Sequence, residues 1–371
     1  MKKILIFYIS DGGGHSKAAD NIKEAFKYRD PQAQVITMNG LGYFFPYWEK
    51  IIDFLYTAVI KHIPSVWGKI YDREPVVRRL TPCRKFVSIL AFKKLSRLIN
   101  KIKPDCIIAT QAFPCGLVAD YKQKLSLDIP LVAVVTDYYP HKFWIHKTID
   151  KYVVACPEAK EVLVQEGVDK SKIKLLGIPI SVKFMGTFSR SETAVSFGMD
   201  KIKPAVLLMG GGSGFGPIQK VSRELERLDL DFQIIVLCGR NKKLYKWFSR
   251  NKRKFKKHLF YFSYIECVNK IMDFSNIIIT KAGGITVSEA LAKGLSIIIT
   301  RPIPGQEERN VGYLLKKEAI VEADNPHHSA ELVKSLILDK KKMYNLKENA
   351  KTISFIDSSL RIYDLISGLL G

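Results

Sequence analysis

Residues 205–225 read AVLLMGGGSGFGPIQKVSREL. A run that is apolar at every position passes into a loop crowded with glycine and then into a helix-like segment. Continuous rather than alternating hydrophobicity marks a strand covered on both faces, as in a parallel sheet. The first residues of the chain, MKKILIFYISDGGGHSKAADNIKEAF (1–26), repeat the order of strand, glycine loop and helix. A pattern that starts twice in one chain predicts two domains of the same kind.

Working outward from these starts, further apolar runs follow in each half. ILIFYIS, AQVITMN, CIIAT, LVAVVTD and KYVVAC occupy the first, and AVLLMG, QIIVLCG, NIIITK and SIIIT the second. Amphipathic segments separate many of them, which is an α/β rhythm. Between the halves GTFSRSETAVSFGMDKIKP (186–204) is polar and ends in proline. The expected organisation is two Rossmann-like domains facing a central cleft: an N-terminal domain over 1–186, a linker over 187–203 and a C-terminal domain over 204–371. The last helix is expected to pack back on the N-terminal domain.

The 371 residues carry 59 Lys+Arg against 36 Asp+Glu, a formal charge of +23. Such a surface seeks anions: nucleic acid, an anionic membrane or phosphorylated substrates. No RNP, KH or helix-turn-helix signature supports nucleic acid. Six cysteines (Cys83, Cys106, Cys115, Cys156, Cys238, Cys267) without a CxxC pair are expected as free thiols of a reducing compartment. The short apolar start lacks a small-residue cleavage site, and no stretch reaches the roughly 20 apolar residues that span a bilayer.

The loop after the first strand holds Gly13, Gly14 and His15. It is neither GxGxxG with a downstream ribose-binding acid nor a Walker A loop. Glycine lets a ligand approach backbone N–H groups at a strand's carboxyl end, and the imidazole sits at the helix start. A third loop, KAGGITVSEALAKG (281–294), precedes RPIPGQEERNVGYLL (301–315). There the N–H groups of Gly284, Ile285 and Thr286 can meet a diphosphate, and Glu289 can accept two ribose hydroxyls.

The set DGGGH, TDYYPHKFW (136–144), GGGSG, KAGGITVSEALAKG and PGQEERN resembles the monogalactosyldiacylglycerol synthase and processive diacylglycerol glucosyltransferase group of glycosyltransferase family 28. The resemblance implies a GT-B fold with an acceptor site in the N-terminal domain and a UDP-sugar site in the C-terminal one. It implies inverting, metal-independent transfer with no cofactor beyond the UDP-sugar donor. On the matching positions, Gly211, Gly212 and Ser213 would lie against diphosphate or ribose, and Tyr264 and Ile265 against uracil. Gln306, Glu307 and Asn310 would read sugar hydroxyls; His141 and Trp144 would stand at the cleft with Gly13 and Gly14. One departure is Ser181, where relatives often carry arginine; Lys183 is the nearest substitute.

The chemistry needs a base for the attacking hydroxyl, either His15 or Asp137, and positive groups for the leaving diphosphate. A single displacement converts an α-linked donor to a β-glycoside. The acceptor implied is diacylglycerol or glycosyl-diacylglycerol at the cytoplasmic side of the cell membrane, the enzyme being peripheral. Residues 41–72 are dense in aromatics, and Lys61–Lys103 hold twelve Lys/Arg against Asp72 and Glu74. This region is expected to touch an anionic bilayer through Phe44, Phe45, Tyr47, Trp48, Trp67, Arg78, Arg79, Arg84 and Lys85. The second basic run, 241–258, reads as a solvated helix. Two alternatives stand beside this: another lipid-linked acceptor, or a non-catalytic UDP-sugar sensor on the membrane.

Overall fold

The computed structural model of the protein describes residues 1–47, 74–300, 302 and 305–371, with backbone alone for 74–86. They form two compact units. The first comprises Met1–Val182, Pro304–Gln306 and Asp357–Gly371; the second comprises Lys183–Ile303 and Glu307–Ile356.

The first unit holds strands β1 (Lys3–Tyr8), β2 (Gln34–Asn39), β3 (Cys106–Ala109), β4 (Leu131–Val134), β5 (Lys151–Val154) and β6 (Ile173–Leu175). All pair in parallel, in the order β2-β1-β3-β4-β5-β6. Helices α1 (Gly14–Arg29), α2 (Gly40–Phe44), α3 (Glu74–Ile102), α4 (Ala112–Leu125) and α5 (Pro157–Gln165) connect them. The strand order reverses between β1 and β3. Loops leaving the carboxyl ends of two such strands part in opposite directions and open a crevice, the usual ligand position in open α/β sheets. His15 stands on the loop and helix that follow β1.

One face of this sheet, with Ile4, Ile6, Ile108, Val132 and Val134, buries against Ile22 and Phe26 of α1. Ile362 and Ile366 of the C-terminal helix Ser358–Leu370 complete that core. The rings of Phe26 and Tyr363 meet edge-on at 5.0 Å. Ser359 Oγ donates to the Ile180 carbonyl at 2.5 Å, and the Ile180 amide donates to Ser358 Oγ at 3.1 Å. Burying Ile362 and Ile366 contributes about 1.5–3 kcal/mol each.

The second unit holds β7 (Ala205–Met209), β8 (Gln233–Leu237), β9 (Leu259–Phe262), β10 (Ile277–Thr280), β11 (Ser296–Thr300) and β12 (Ile320–Ala323). They form a parallel sheet in the order β12-β11-β10-β7-β8-β9. Its helices are α6 (Arg190–Phe197), α7 (Ile218–Glu226), α8 (Lys242–Asn251), α9 (Val268–Phe274), α10 (Gly284–Ala292), α11 (Gln306–Lys316, in this unit from Glu307), α12 (Pro326–Leu338) and α13 (Lys340–Thr352). Here the reversal lies between β7 and β10, with Met209 opposite Thr280. Topology therefore makes neighbours of two loops about 70 residues apart in sequence: the glycine loop after β7 and KAGG after β10.

Sequence periodicity anticipates β1–β5, β7, β8, β10 and β11. It does not anticipate β6, β9 and β12. They are edge strands with half-buried positions; β6 (IKL) and β12 (IVEA) are each broken by a charged residue, and β9 (LFYF), though apolar throughout, stands directly after the basic run 241–258. The polar stretch 186–204 is not unstructured, since it contains α6. The Arg190 guanidinium fixes it by donating to the carbonyls of Lys201 and Lys203, each at 2.7 Å, and of Phe274. A buried pair ties in the preceding residues. Lys293 Nζ lies 2.7 Å from Asp273 Oδ2 and donates to the Gly186 carbonyl at 2.6 Å. The basic run after β8 forms α8 and a short turn, with Leu244 and Phe248 inward and Lys242, Lys243, Lys246 and Arg250 exposed.

Candidate active site

Each unit presents a cluster at its own strand-order reversal. In the first, Gly12 carries the left-handed turn (φ +78°) that lets β1 enter α1. Its amide donates to Ser16 Oγ at 3.0 Å, and Ser16 Oγ donates to the Gly13 carbonyl at 3.0 Å. Gly13 is the N-cap, and Gly14 and His15 open the helix. His15 Nδ1 lies 2.8 Å from the Thr110 carbonyl oxygen and 3.0 Å from Thr136 Oγ1. A carbonyl can only accept, so Nδ1 carries the proton and the lone pair of the neutral ring is on Nε2. Thr110 Oγ1 in turn donates to the His15 carbonyl at 2.9 Å, holding the backbone as well as the ring.

Close packing around the half-buried His15 lowers its pKa from the usual histidine value, against the raising influence of the Asp137 charge and the Thr110 carbonyl. The neutral, proton-accepting form is thus favoured at neutral pH. Thr110 and Thr136 are the functional residues that sequence reading missed. They lie 95 and 121 residues from His15, and only the pairing of β1, β3 and β4 brings them together.

Asp137 follows Thr136 and accepts a hydrogen bond from the Gln306 side chain, which is grouped with the first unit. His141 caps a turn: its Nδ1 accepts from the Phe143 amide at 3.1 Å, and its ring stacks on Phe143 at 4.7 Å between centroids. Trp144 is packed inward. It is 5% exposed, and the turn that carries it packs on α4. Ser181 is buried, whereas Lys183 is exposed and begins the second unit.

In the second unit the loop after β7 closes on itself. The Phe215 amide donates to the Gly210 carbonyl and the Gly214 amide to the Gly211 carbonyl, both at 3.0 Å. A Cβ on Gly214 would stand 2.3 Å from the Cys238 carbonyl oxygen, so only glycine fits there. Gly211 has φ +67°, and Gly212 and Ser213 are exposed. A Cβ on Gly211 would lie 3.8 Å from Lys281 Cε and 3.9 Å from Thr286 Oγ1, so the two loops adjoin. Helix α10 begins behind Gly283 with no side-chain cap, which leaves the first N–H groups (Gly284, Ile285, Thr286) for another acceptor. Glu289 lies one turn further on and is 5% exposed.

Around this crevice, Tyr264 is half exposed, with the Arg240 guanidinium 5.4 Å from its ring centre, and Ile265 is half-buried beside it. Asn310 is fully buried and donates to the Ala282 carbonyl at 3.0 Å, so it fixes the KAGG loop. Glu307 faces Lys281, Oε1 to Nζ 2.6 Å. Among the described residues, no three His, Cys, Asp or Glu side chains are grouped to hold a metal ion.

The predicted membrane residues divide. Phe44 is a correction: it is 2% exposed and packs on Phe7 of β1, so it is part of the core. The aromatic pattern could not separate it from its neighbours. Phe45 is half-buried beside Phe113, while Tyr47 is 88% exposed. Trp48 and Trp67 lie outside the described residues, and Arg78, Arg79, Arg84 and Lys85 fall on the part of α3 described by backbone alone. Further along α3, Ile89 and Leu90 are exposed. No helix among the described residues is long and apolar enough to cross a membrane.

Residues 15–180 match the family model for monogalactosyldiacylglycerol (MGDG) synthase, and 205–363 match the glycosyltransferase family 28 C-terminal domain. The chain is 31% identical over 365 residues to the processive diacylglycerol beta-glucosyltransferase of Bacillus pumilus, covering 98% of this chain and 94% of that protein. It is 33% identical over 362 residues to the protein of the same name in Bacillus licheniformis, covering 96% and 92%. Among solved structures, Acinetobacter baumannii MurG aligns with a TM-score of 0.66 at 14% identity, over 99% of this chain and 100% of that one. That last likeness bears on the fold alone.

Proposed function

We propose that this chain, which belongs to the monogalactosyldiacylglycerol synthase and processive diacylglycerol glucosyltransferase group of glycosyltransferase family 28, moves glucose from UDP-glucose to diacylglycerol with inversion. The carrying observation is the 31% and 33% identity, over nearly the full length, to two processive diacylglycerol beta-glucosyltransferases. The local geometry agrees, since each unit keeps its matched motifs at the carboxyl edge of a parallel sheet.

In this reading the acceptor oxygen forms a bond to the anomeric carbon while the bond from that carbon to the diphosphate breaks. The electron pair leaves with UDP. The acceptor's proton passes to His15 Nε2, the atom that the Thr110 carbonyl leaves unprotonated. Asp137 supplies a negative charge that steadies the imidazolium. Amides at Gly284, Ile285 and Thr286 meet the diphosphate, and Glu289 the ribose. Repeated addition to the glycolipid product follows if the acceptor site also takes a sugar-bearing headgroup. The reaction is read as independent of metal.

The enzyme is read as peripheral, on the cytoplasmic face of the membrane. Diacylglycerol stays in the bilayer because each CH₂ exposed to water costs about 0.8 kcal/mol. The exposed Tyr47, Ile89 and Leu90 and the basic stretch of α3 support contact through the 41–103 region. The test is incubation with UDP-glucose or UDP-galactose, with EDTA present, on diacylglycerol vesicles with and without phosphatidylglycerol. Mass spectrometry of the lipids should show one or more hexose additions from UDP-glucose, unaffected by chelator and faster on anionic vesicles. UDP-glucose left intact with diacylglycerol overturns the reading in favour of a sensor or another acceptor.

A further inference from the structure

Lys281 opens the loop after β10, and the resemblance puts Glu307 among the residues that would read sugar hydroxyls. Their arrangement assigns other roles. The Lys281 ammonium lies 2.6 Å from Glu307 Oε1, 3.5 Å from where a Cβ on Gly283 would be, and close to bare Gly211 through its Cε. It therefore stands where the two loops of the strand-order reversal meet. The carboxylate is the deeper partner: its side chain is 6% exposed against 26% for the lysine. Glu307 takes one of the three ammonium donors, and the other two have no partner among the described residues. Next to it at the end of β10, the buried Thr280 hydroxyl also has no hydrogen-bond partner among the described residues. Buried polar groups are normally satisfied, so this strand end has capacity for an additional acceptor.

We propose that Lys281 donates to the diphosphate of the nucleotide, stabilising the charge that grows as UDP leaves, and that Glu307 is the positioning residue that holds it there. This rests on the UDP-sugar reading above. The lysine stays an ammonium throughout; no proton is transferred to or from it. A flexible four-carbon side chain held at its tip loses less freedom when the phosphates arrive, and glycine at 211 and 283 puts no side chain against that tip.

The test compares UDP, UMP and uridine binding to the full chain by calorimetry. Lys281→Met should weaken UDP by roughly ten- to hundredfold, the range for hydrogen bonds to charged groups, and leave uridine unchanged. Lys281→Arg should recover most of the loss. Glu307→Gln should weaken UDP by a smaller factor, although UDP carries no sugar for Glu307 to read. Unchanged UDP affinity in Lys281→Met, or a Glu307→Gln defect confined to UDP-glucose, overturns the proposal. On the wild-type protein, UDP but not uridine should protect Lys281 from acetylation, read by peptide mass spectrometry, and equal labelling with and without UDP overturns it too. Failure of the wild type to prefer UDP over uridine would instead remove the UDP-sugar reading on which the proposal rests.

Discussion

The two strand-order reversals are built alike and equipped differently. In the first unit the loop after β1 delivers an imidazole that close packing keeps neutral and two threonine groups keep in one tautomer. In the second, the loops after β7 and β10 present bare glycine, an uncapped helix start and a lysine held by a carboxylate. One arrangement suits receiving a proton, the other holding an anion. The same topological position thus takes its chemistry from a few side chains at the strand ends.

The sharpest way to break this comparison is His15→Ala. Turnover of UDP-glucose on diacylglycerol should fall by roughly 10²–10⁴, on the scale of lost acid–base help. UDP affinity should stay as in wild type. A variant with near-normal turnover would reduce His15 to a turn residue.

Glu289→Ala probes the other reversal. It should weaken UDP binding by about 1–3 kcal/mol, roughly five- to 150-fold, and leave the melting temperature nearly unchanged. Calorimetry that finds UDP bound as tightly as before would remove Glu289 from the ribose.

The smallest expected effect sharpens the roles of His15 and Asp137. The base must be deprotonated, so turnover falls as pH drops through the His15 pKa, which burial sets below the ordinary value of about 6.5. Asp137 raises that pKa by its charge. Asp137→Asn should therefore shift the acid limb of the pH–rate profile to lower pH while most turnover at pH 8 persists. Collapse of turnover at every pH would make Asp137 the base instead.

What could be read in advance followed from burial. Central strands such as β7 and β10 are apolar at nearly every position because both faces are covered, and they revealed the doubled α/β plan. The edge strands β6 and β12 are half-buried and interrupted by Lys174 and Glu322, and left no such trace. Glycine loops were visible because conformational need is local, as at Gly12 and Gly214. Partners across strands were not: nothing near His15 announces Thr110, and nothing near Lys281 announces Glu307. Aromatic composition likewise could not show that Phe44 turns inward while Tyr47 faces outward.

The helix Ser358–Leu370 returns to the first unit after the whole second unit has been made. On a ribosome, therefore, the six strands of the first sheet emerge early but must wait for the face of α1 to be covered. During that interval Ile22 and Phe26 lack Ile362, Ile366 and Tyr363 and expose a sticky patch. The second unit, emerging as an uninterrupted stretch apart from Pro304–Gln306, has no such delay. Nascent chains stalled before Asp357 should thus bind a hydrophobic-patch chaperone through the part synthesised first, an inversion of the usual order in which early domains finish early.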